Sequence, residues 1–148
     1  MPRDAFQFSH SLRVRWAELD PQGIVFNPNY LTYFDVGVTE YWRAIGCVYP
    51  GAFFAQGVDT FLIKATVEYK APARFDDEIS VRARVRRIGR TSITFVLAIE
   101  RGVELLVSGE LVYVFTSLAD RKPAPVPEMF RRAVLEYEQA PVETSPAK

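Results

Sequence analysis

The stretch Asn27 to Gly46, NPNYLTYFDVGVTEYWRAIG, decides the fold. Asn is a good N-cap and Pro is tolerated at the first helical position, so a helix is expected to start at Asn27-Pro28. It should run to about Ile45 and stop at Gly46, which suits the residue just past a helix end. Tyr30, Leu31, Tyr33, Phe34, Val36, Val38, Tyr41, Trp42 and Ile45 fall on more than one face of that helix. A surface helix carries a narrower apolar stripe. This helix is therefore expected to be wrapped by a sheet or buried between subunits.

Working outward, the flanks read as strands. Upstream, Phe6, Phe8, Leu12, Val14 and Trp16 partly alternate with polar residues, the period of a half-buried strand. Downstream, residues 47–58 hold two glycines and a proline and read as an irregular connection. Thr60 to Lys70 is a strand that ends at Ala71-Pro72. Ile79 to Ile88 alternates, with Ile79, Val81, Ala83 and Val85 set against Ser80, Arg82, Arg84 and Arg86. Gly89-Arg90 and Arg101-Gly102 turn the chain into two more strands, Thr91 to Glu100 and Val103 to Thr116, so the three form an antiparallel meander. Pro127 to Glu138 reads as a short helix, and residues 140–148 as a flexible tail. Strands in runs beside a segregated helix make an α+β fold, here a single domain over residues 1–139.

Composition narrows the function. Lys and Arg together number 18, equal to Asp and Glu together, so no bulk field favours nucleic acid or membrane and neither is expected as a partner. An anionic ligand would need a local basic cluster. The single Cys47 excludes an internal disulfide and is expected to be packing; with no apolar run behind the N-terminus, the expected compartment is the cytoplasm. His10 is the one histidine, which excludes a His-based triad or a His metal cluster within one chain; no metal and no cofactor are expected. Arg82, Arg84 and Arg86 read as a solvated strand face.

What remains for chemistry is the loop before the long helix. Asp20 sits in a turn stiffened by Pro21 and loosened by Gly23. A helix N-terminus follows within a few residues, with unpaired N–H groups and the positive end of a dipole. A carboxylate beside such donors suits acyl transfer, where the donors polarise a carbonyl and the carboxylate attacks or activates water. Spacing alone equally admits a plain Asp-Pro turn with Glu18 as a solvated neighbour.

The run Arg15-Trp16-Ala17-Glu18-Leu19-Asp20-Pro21-Gln22-Gly23-Ile24-Val25-Phe26-Asn27-Pro28-Asn29-Tyr30 resembles the motif of the 4-hydroxybenzoyl-CoA thioesterase family of hot-dog proteins. Tyr33-Phe34-Asp35, Tyr69-Lys70-Ala71-Pro72, Asp76-Asp77-Glu78 and Gly89-Arg90-Thr91-Ser92 also fall where such proteins place them. The resemblance covers about residues 8–130. It implies a hot-dog fold, an antiparallel sheet wrapped around a central helix, assembled as a homodimer or homotetramer with active sites at the dimer interface. It implies an acyl-CoA substrate, Asp20 as the catalytic carboxylate, and the backbone N–H of Asn27 as the group that polarises the thioester carbonyl. Gly23 and Asp35 are the implied substrate contacts, Asp35 acting from the partner subunit on an aromatic, hydroxybenzoyl-like acyl group. For Asp35 an ion pair with Arg43 is the other reading. Arg87, Arg90 and Ser92, around the third turn, are the implied CoA contacts. The sequence departs from the family where Gly89 and Thr91 interrupt what is elsewhere a continuous basic run, and where Asn27 stands in place of Tyr or His. The expected activity is hydrolysis of an acyl-CoA to acid and CoA. The alternatives are an acyl-carrier-protein thioesterase and a non-catalytic acyl-thioester binding module.

Overall fold

The computed structural model describes residues 3–145. In chain order the elements are β1 (Phe8–Arg13), α1 (Asn29–Ala44), α2 (Gly51–Ala55), β2 (Val58–Tyr69), β3 (Glu78–Ile88), β4 (Ser92–Arg101), β5 (Glu104–Ser117), α3 (Glu128–Tyr137) and β6 (Glu143–Thr144). The sheet order is β1-β3-β4-β5-β2, antiparallel throughout, with β6 added in parallel to β3. The expected α+β hot-dog arrangement is what forms, with α1 lying across one face of the sheet.

Alternation explains which face α1 meets. Val81, Ala83, Phe95, Leu97, Leu111 and Phe115 are all buried on the helix side. Gly37 lets the helix backbone close onto β3, since a Cβ there would stand 2.5 Å from Val81 Cγ1. Gly109 does the same on β5, where a Cβ would meet Phe34 Cε2 at 2.5 Å and the Thr66 carbonyl oxygen at 2.7 Å. Tyr41 and Trp42, at the far end of α1, meet Phe95 edge to face. The opposite side of α1 is covered only in part. Tyr33 is buried under the loop that precedes the helix, whereas Asp35 and Arg43 are exposed.

Four expectations change. The helix starts at Asn29 rather than Asn27, because Phe26 to Asn29 forms a turn closed by the Asn29 N–H on the Phe26 carbonyl (2.9 Å). Residues 47–58 are not wholly irregular: α2 puts Phe53 into the core, and the Tyr49–Pro50 peptide is cis. The arginines of β3 are not a solvated face. Arg84 is buried, Arg82 pairs with buried Glu100, and Arg86 pairs with Glu110. Lastly, Glu143 and Thr144 pair with Arg87 and Ile88 instead of fraying; the rest of the expected tail, residues 146–148, lies outside the described residues.

The β3 edge shows why that C-terminal segment docks. β1 pairs with β3 up to Ala83 and β6 resumes at Arg87, which leaves a gap at Val85. Glu138 fills it: its buried carboxylate accepts the Val85 N–H (3.0 Å) and the Tyr41 hydroxyl (2.6 Å). Burial pushes the Glu138 carboxyl above its ordinary range, with the Tyr41 hydroxyl, the Val85 N–H and the Arg84 guanidinium pulling the other way. A raised carboxyl keeps its proton longer in the folded chain than in the unfolded one. Its stabilising contribution is complete below the unfolded value and fades as pH rises through the folded one. Replacing Glu138 by Gln removes that dependence. The melting temperature of the variant relative to wild type is expected to climb as pH rises above the ordinary carboxylate range, whereas a constant offset would show that the Glu138 carboxyl titrates alike in the folded and unfolded chain.

Candidate active site

Residues 15–29 build the loop that carries the sequence motif. Leu19 pairs with Val25, the Asp20 N–H donates to the Ile24 carbonyl (2.9 Å), and the Gly23 N–H returns to the Asp20 carbonyl (2.9 Å). Gly23 has φ of 77°, a left-handed conformation that a residue with a Cβ adopts at a cost. Asp20 is half-buried, and its Oδ1 accepts the Gln22 N–H (2.8 Å). Its other carboxylate oxygen has no donor among the described residues.

Asn27 follows the loop at the entrance to α1. Its carbonyl is occupied, accepting from the Tyr30 N–H (3.3 Å) and the Tyr69 hydroxyl (3.2 Å). Its N–H has no acceptor among the described residues. The Tyr30 hydroxyl accepts the Ala73 N–H (2.9 Å), which fixes the Lys70-Ala71-Pro72 segment against the helix start. Between these parts lies a mostly apolar groove of about 520 Å³, lined by Ile24, Val25, Asn27, Tyr30, Tyr69, Lys70, Ala71 and Pro72. A carboxylate with an unoccupied oxygen, an unpaired N–H at a helix start and an apolar groove are the components of an acyl-transfer site.

The other residues singled out by sequence lie elsewhere. Asp35 is about two helical turns along α1 from Asn27. It does not pair with Arg43, which bonds Glu40 instead; its carboxylate accepts the Tyr113 hydroxyl (3.0 Å). Together they border a second hollow of about 260 Å³ with Thr39, Tyr49, Thr60 and Leu62. Burial, then the Asp35 charge, hold the Tyr113 hydroxyl far above its ordinary value, so it stays a donor.

Arg87, Arg90 and Ser92 sit at the opposite end of the sheet from Asp20. Ser92 is level with Val114 on β5, and Tyr69, beside Asn27, is level with Val107. Seven residues of strand separate those levels, about 23 Å at ~3.3 Å per residue. Arg87 is engaged by Ser145 (3.0 Å) and Glu143 (3.5 Å), while the exposed Arg90 side chain has no partner among the described residues. Within one chain, then, Asp20, Gly23 and Asn27 share one hydrogen-bonded loop, and Asp35 and the basic group do not join them.

Sequence reasoning read Glu18 as a solvated neighbour and gave no site role to Asn29, Tyr33 and Tyr69, which with Glu18 hold the loop and the helix start in place. The Arg15–Glu18 spacing of three was the one local signal: the Glu18 carboxylate turns back onto the Arg15 N–H (2.8 Å) as in a capping box.

Comparison with known proteins bears on the family and the fold. A family model described as the thioesterase-like superfamily matches residues 14–134. The acyl-CoA thioester hydrolase YbgC of Escherichia coli O6:H1 is 28% identical over 133 residues, which is 89% of this chain and 96% of that protein. A solved thioesterase from Thermus thermophilus, complexed with coenzyme A and Zn, superposes with a TM-score of 0.80 at 27% identity, covering 94% of this chain and 99% of that one. A solved protein of Pseudomonas aeruginosa superposes with a TM-score of 0.82 at 25% identity, covering 94% and 97%.

Proposed function

The chain belongs to the thioesterase-like superfamily and is a thioester hydrolase, and from that membership we propose that it cleaves an acyl-CoA to the free acid and CoA, with Asp20 as the catalytic carboxylate. The observation that carries the reading is the unoccupied Asp20 oxygen in the same loop as the unpaired N–H of Asn27, a residue that lines the apolar groove. The thioester oxygen accepts the Asn27 N–H, which polarises the carbonyl carbon. Asp20 either takes a proton from water as the water oxygen bonds to that carbon, or attacks it directly to give an anhydride that water then opens. In both routes the C–S bond breaks and the CoA thiolate leaves with a proton.

The same reading makes the active unit a dimer. β2 is an edge strand with Phe61, Leu62, Ile63 and Tyr69 at 47%, 47%, 60% and 51% exposure, a long apolar edge of the kind soluble monomers avoid. Antiparallel pairing of two such strands sets the Asn27 end of one protomer beside the Asp35 and Arg90 end of the other. Asp35 and Tyr113 then face the acyl group, where they suit a hydroxylated or aromatic acyl chain, and Arg90 reaches toward the CoA phosphates. A cytoplasmic setting fits that substrate and the single thiol.

The test is thiol release from short, medium and long alkyl, benzoyl, hydroxybenzoyl and phenylacetyl CoA thioesters, with wild type and Ile63→Asp compared. Ile63 is exposed, so the variant should fold with stability within about 0.5 kcal/mol of wild type. It is expected to elute as a monomer with turnover reduced about 100-fold or more, since a misplaced catalytic unit loses at least that much. A fully active monomer would remove the shared site. Absence of turnover on every CoA ester would redirect the reading to a carrier-protein thioester.

A further inference from the structure

Two carboxylates stand two residues apart in the loop, and the structure divides their roles. The Glu18 carboxylate is fully engaged: it accepts from the Arg15 N–H (2.8 Å), the Arg15 Nε (2.9 Å) and the Tyr33 hydroxyl (2.8 Å), with its side chain 15% exposed. Its backbone carbonyl is engaged as well, accepting the Phe26 N–H (2.9 Å) and the Asn29 side-chain amide (2.9 Å). Burial alone would raise the Glu18 carboxyl, but the bonds from Arg15 and Tyr33 outweigh it and hold the group below its ordinary value, so it stays charged. A carboxylate with its acceptor positions filled in this way is a poor base or nucleophile. Asp20, with one oxygen unoccupied, is the group left for chemistry.

We propose that Glu18 is the positioning residue that holds the Asp20 carboxylate in register with the Asn27 N–H. The inference rests on the reading of Asp20 as the catalytic carboxylate. The connectivity is direct. Leaving Glu18, the chain reaches Asp20 through Leu19, which pairs with Val25. Phe26, the residue before Asn27, is bonded to the Glu18 carbonyl, and Asn29, two residues after it, is bonded to the same atom. Tyr33, one turn further along α1, ties the Glu18 side chain to the helix itself. Both arms of the site thus hang on one residue, and the Tyr33 hydroxyl fixes that residue to α1. These bonds to a charged acceptor are of the stronger class, and none depends on substrate being present. The site is therefore set before substrate arrives, and a displacement on the order of 1 Å at such a site costs about 100-fold in rate.

The experiment compares Glu18→Ala, Glu18→Gln, Tyr33→Phe and Asp20→Asn on the best acyl-CoA of the panel, with kcat, KM and melting temperature read for each. Glu18→Ala is expected to lower kcat by about 10–100-fold with KM within about 3-fold, because the groove that binds the substrate is not lined by Glu18. Glu18→Gln keeps an oxygen for the Arg15 N–H and Tyr33, and is expected to recover most of that loss. Tyr33→Phe is expected to cost several-fold in kcat, and to add little when combined with Glu18→Ala. A purely structural role would lower the melting temperature of Glu18→Ala and leave kcat of the folded protein untouched, which overturns the proposal. Should Glu18→Ala fail to fold, an unchanged kcat in Tyr33→Phe overturns it instead. If Asp20→Asn is fully active, the underlying reading falls and takes this inference with it. If Asp20→Asn is inactive while Glu18→Ala is as fast as wild type, only the inference falls.

Discussion

Asp20→Asn is expected to lower kcat by about 10²–10⁴-fold while KM stays close to that of wild type. The substitution is nearly isosteric, and the amide oxygen can still accept the Gln22 N–H that the Asp20 carboxylate now holds at 2.8 Å. Asn is also at home in a turn of this type. The loop should therefore keep its shape, and the melting temperature should move by no more than the equivalent of about 0.5 kcal/mol. What is lost is the charge on the unoccupied carboxylate oxygen, which can no longer take a proton from water or attack a carbonyl. A fall in kcat at constant KM marks an interaction made only in the transition state. Hydrolysis undiminished in Asp20→Asn would end the assignment. A residual rate well above the uncatalysed reaction would measure what the Asn27 N–H contributes alone, since one oxyanion donor is typically worth about 10²–10³ in kcat. Single-turnover hydrolysis in ¹⁸O water then tests for the anhydride. Label found in the Asp20 carboxylate marks an anhydride opened at the Asp20 carbonyl, whereas label confined to the released acid is shared by the general base and by an anhydride opened at the acyl carbon.

How much of this is legible in the sequence depends on the range over which each feature is encoded. The meander was legible because its register follows from alternation within β3, β4 and β5 and from glycines at the turns, all local signals. The long helix was legible because its apolar residues exceed one face. Its first residue was not, since capping preference points to Asn27-Pro28 whereas a turn closed by the Asn29 N–H on the Phe26 carbonyl delays the helix to Asn29. α2 is five residues long, too short to show a period, and the apolar pair Phe53-Phe54 was lost among glycines. Alternating arginines on β3 could not be told from a solvated face, because the acids that neutralise them, Glu100 and Glu110, come from β4 and β5.

The site divides along the same line. Asp20, Gly23 and Asn27 lie within eight consecutive residues, so a motif could carry them. Glu18 looked like a solvated neighbour because its decisive partner, Tyr33, is 15 residues away on the helix. The Asp35 bond to Tyr113 spans 78 positions, and the nearer Arg43 was the plausible but mistaken partner. The separation of Arg90 from Asp20 along the sheet is a property of strand register, which no local motif encodes.

Phe130→Ala is expected to destabilise the fold by about 3–5 kcal/mol, with little effect on kcat of the molecules that remain folded. Phe130 is the apolar anchor of α3 and has no exposed surface. Its ring stacks on Phe53 with centroids 4.6 Å apart and meets Phe115 and Trp42 at 5.6 Å each. One side chain therefore joins α3, α2, β5 and the far end of α1. Truncation leaves a cavity among rings too large and too closely packed to collapse into it, which places the cost toward the upper part of the range for such changes. The neighbouring Arg131 extends the effect, because its guanidinium bonds the carbonyls of Gly89 and Ser145 and so ties the β3–β4 turn to the C-terminal segment. Small domains have about 5–15 kcal/mol in all, so a loss of this size should appear as a large fall in the urea midpoint with the slope unchanged. Phe130→Leu, which keeps most of the volume, should lose no more than about 1.5 kcal/mol. A cost under about 1 kcal/mol for the alanine variant would mean that α3 is docked loosely and that the aromatic cluster does not bind it. Phe130 lies at the end of α1 remote from Asn27, so kcat measured well below the transition should stay within about two-fold of wild type, the reverse of the pattern expected for Asp20.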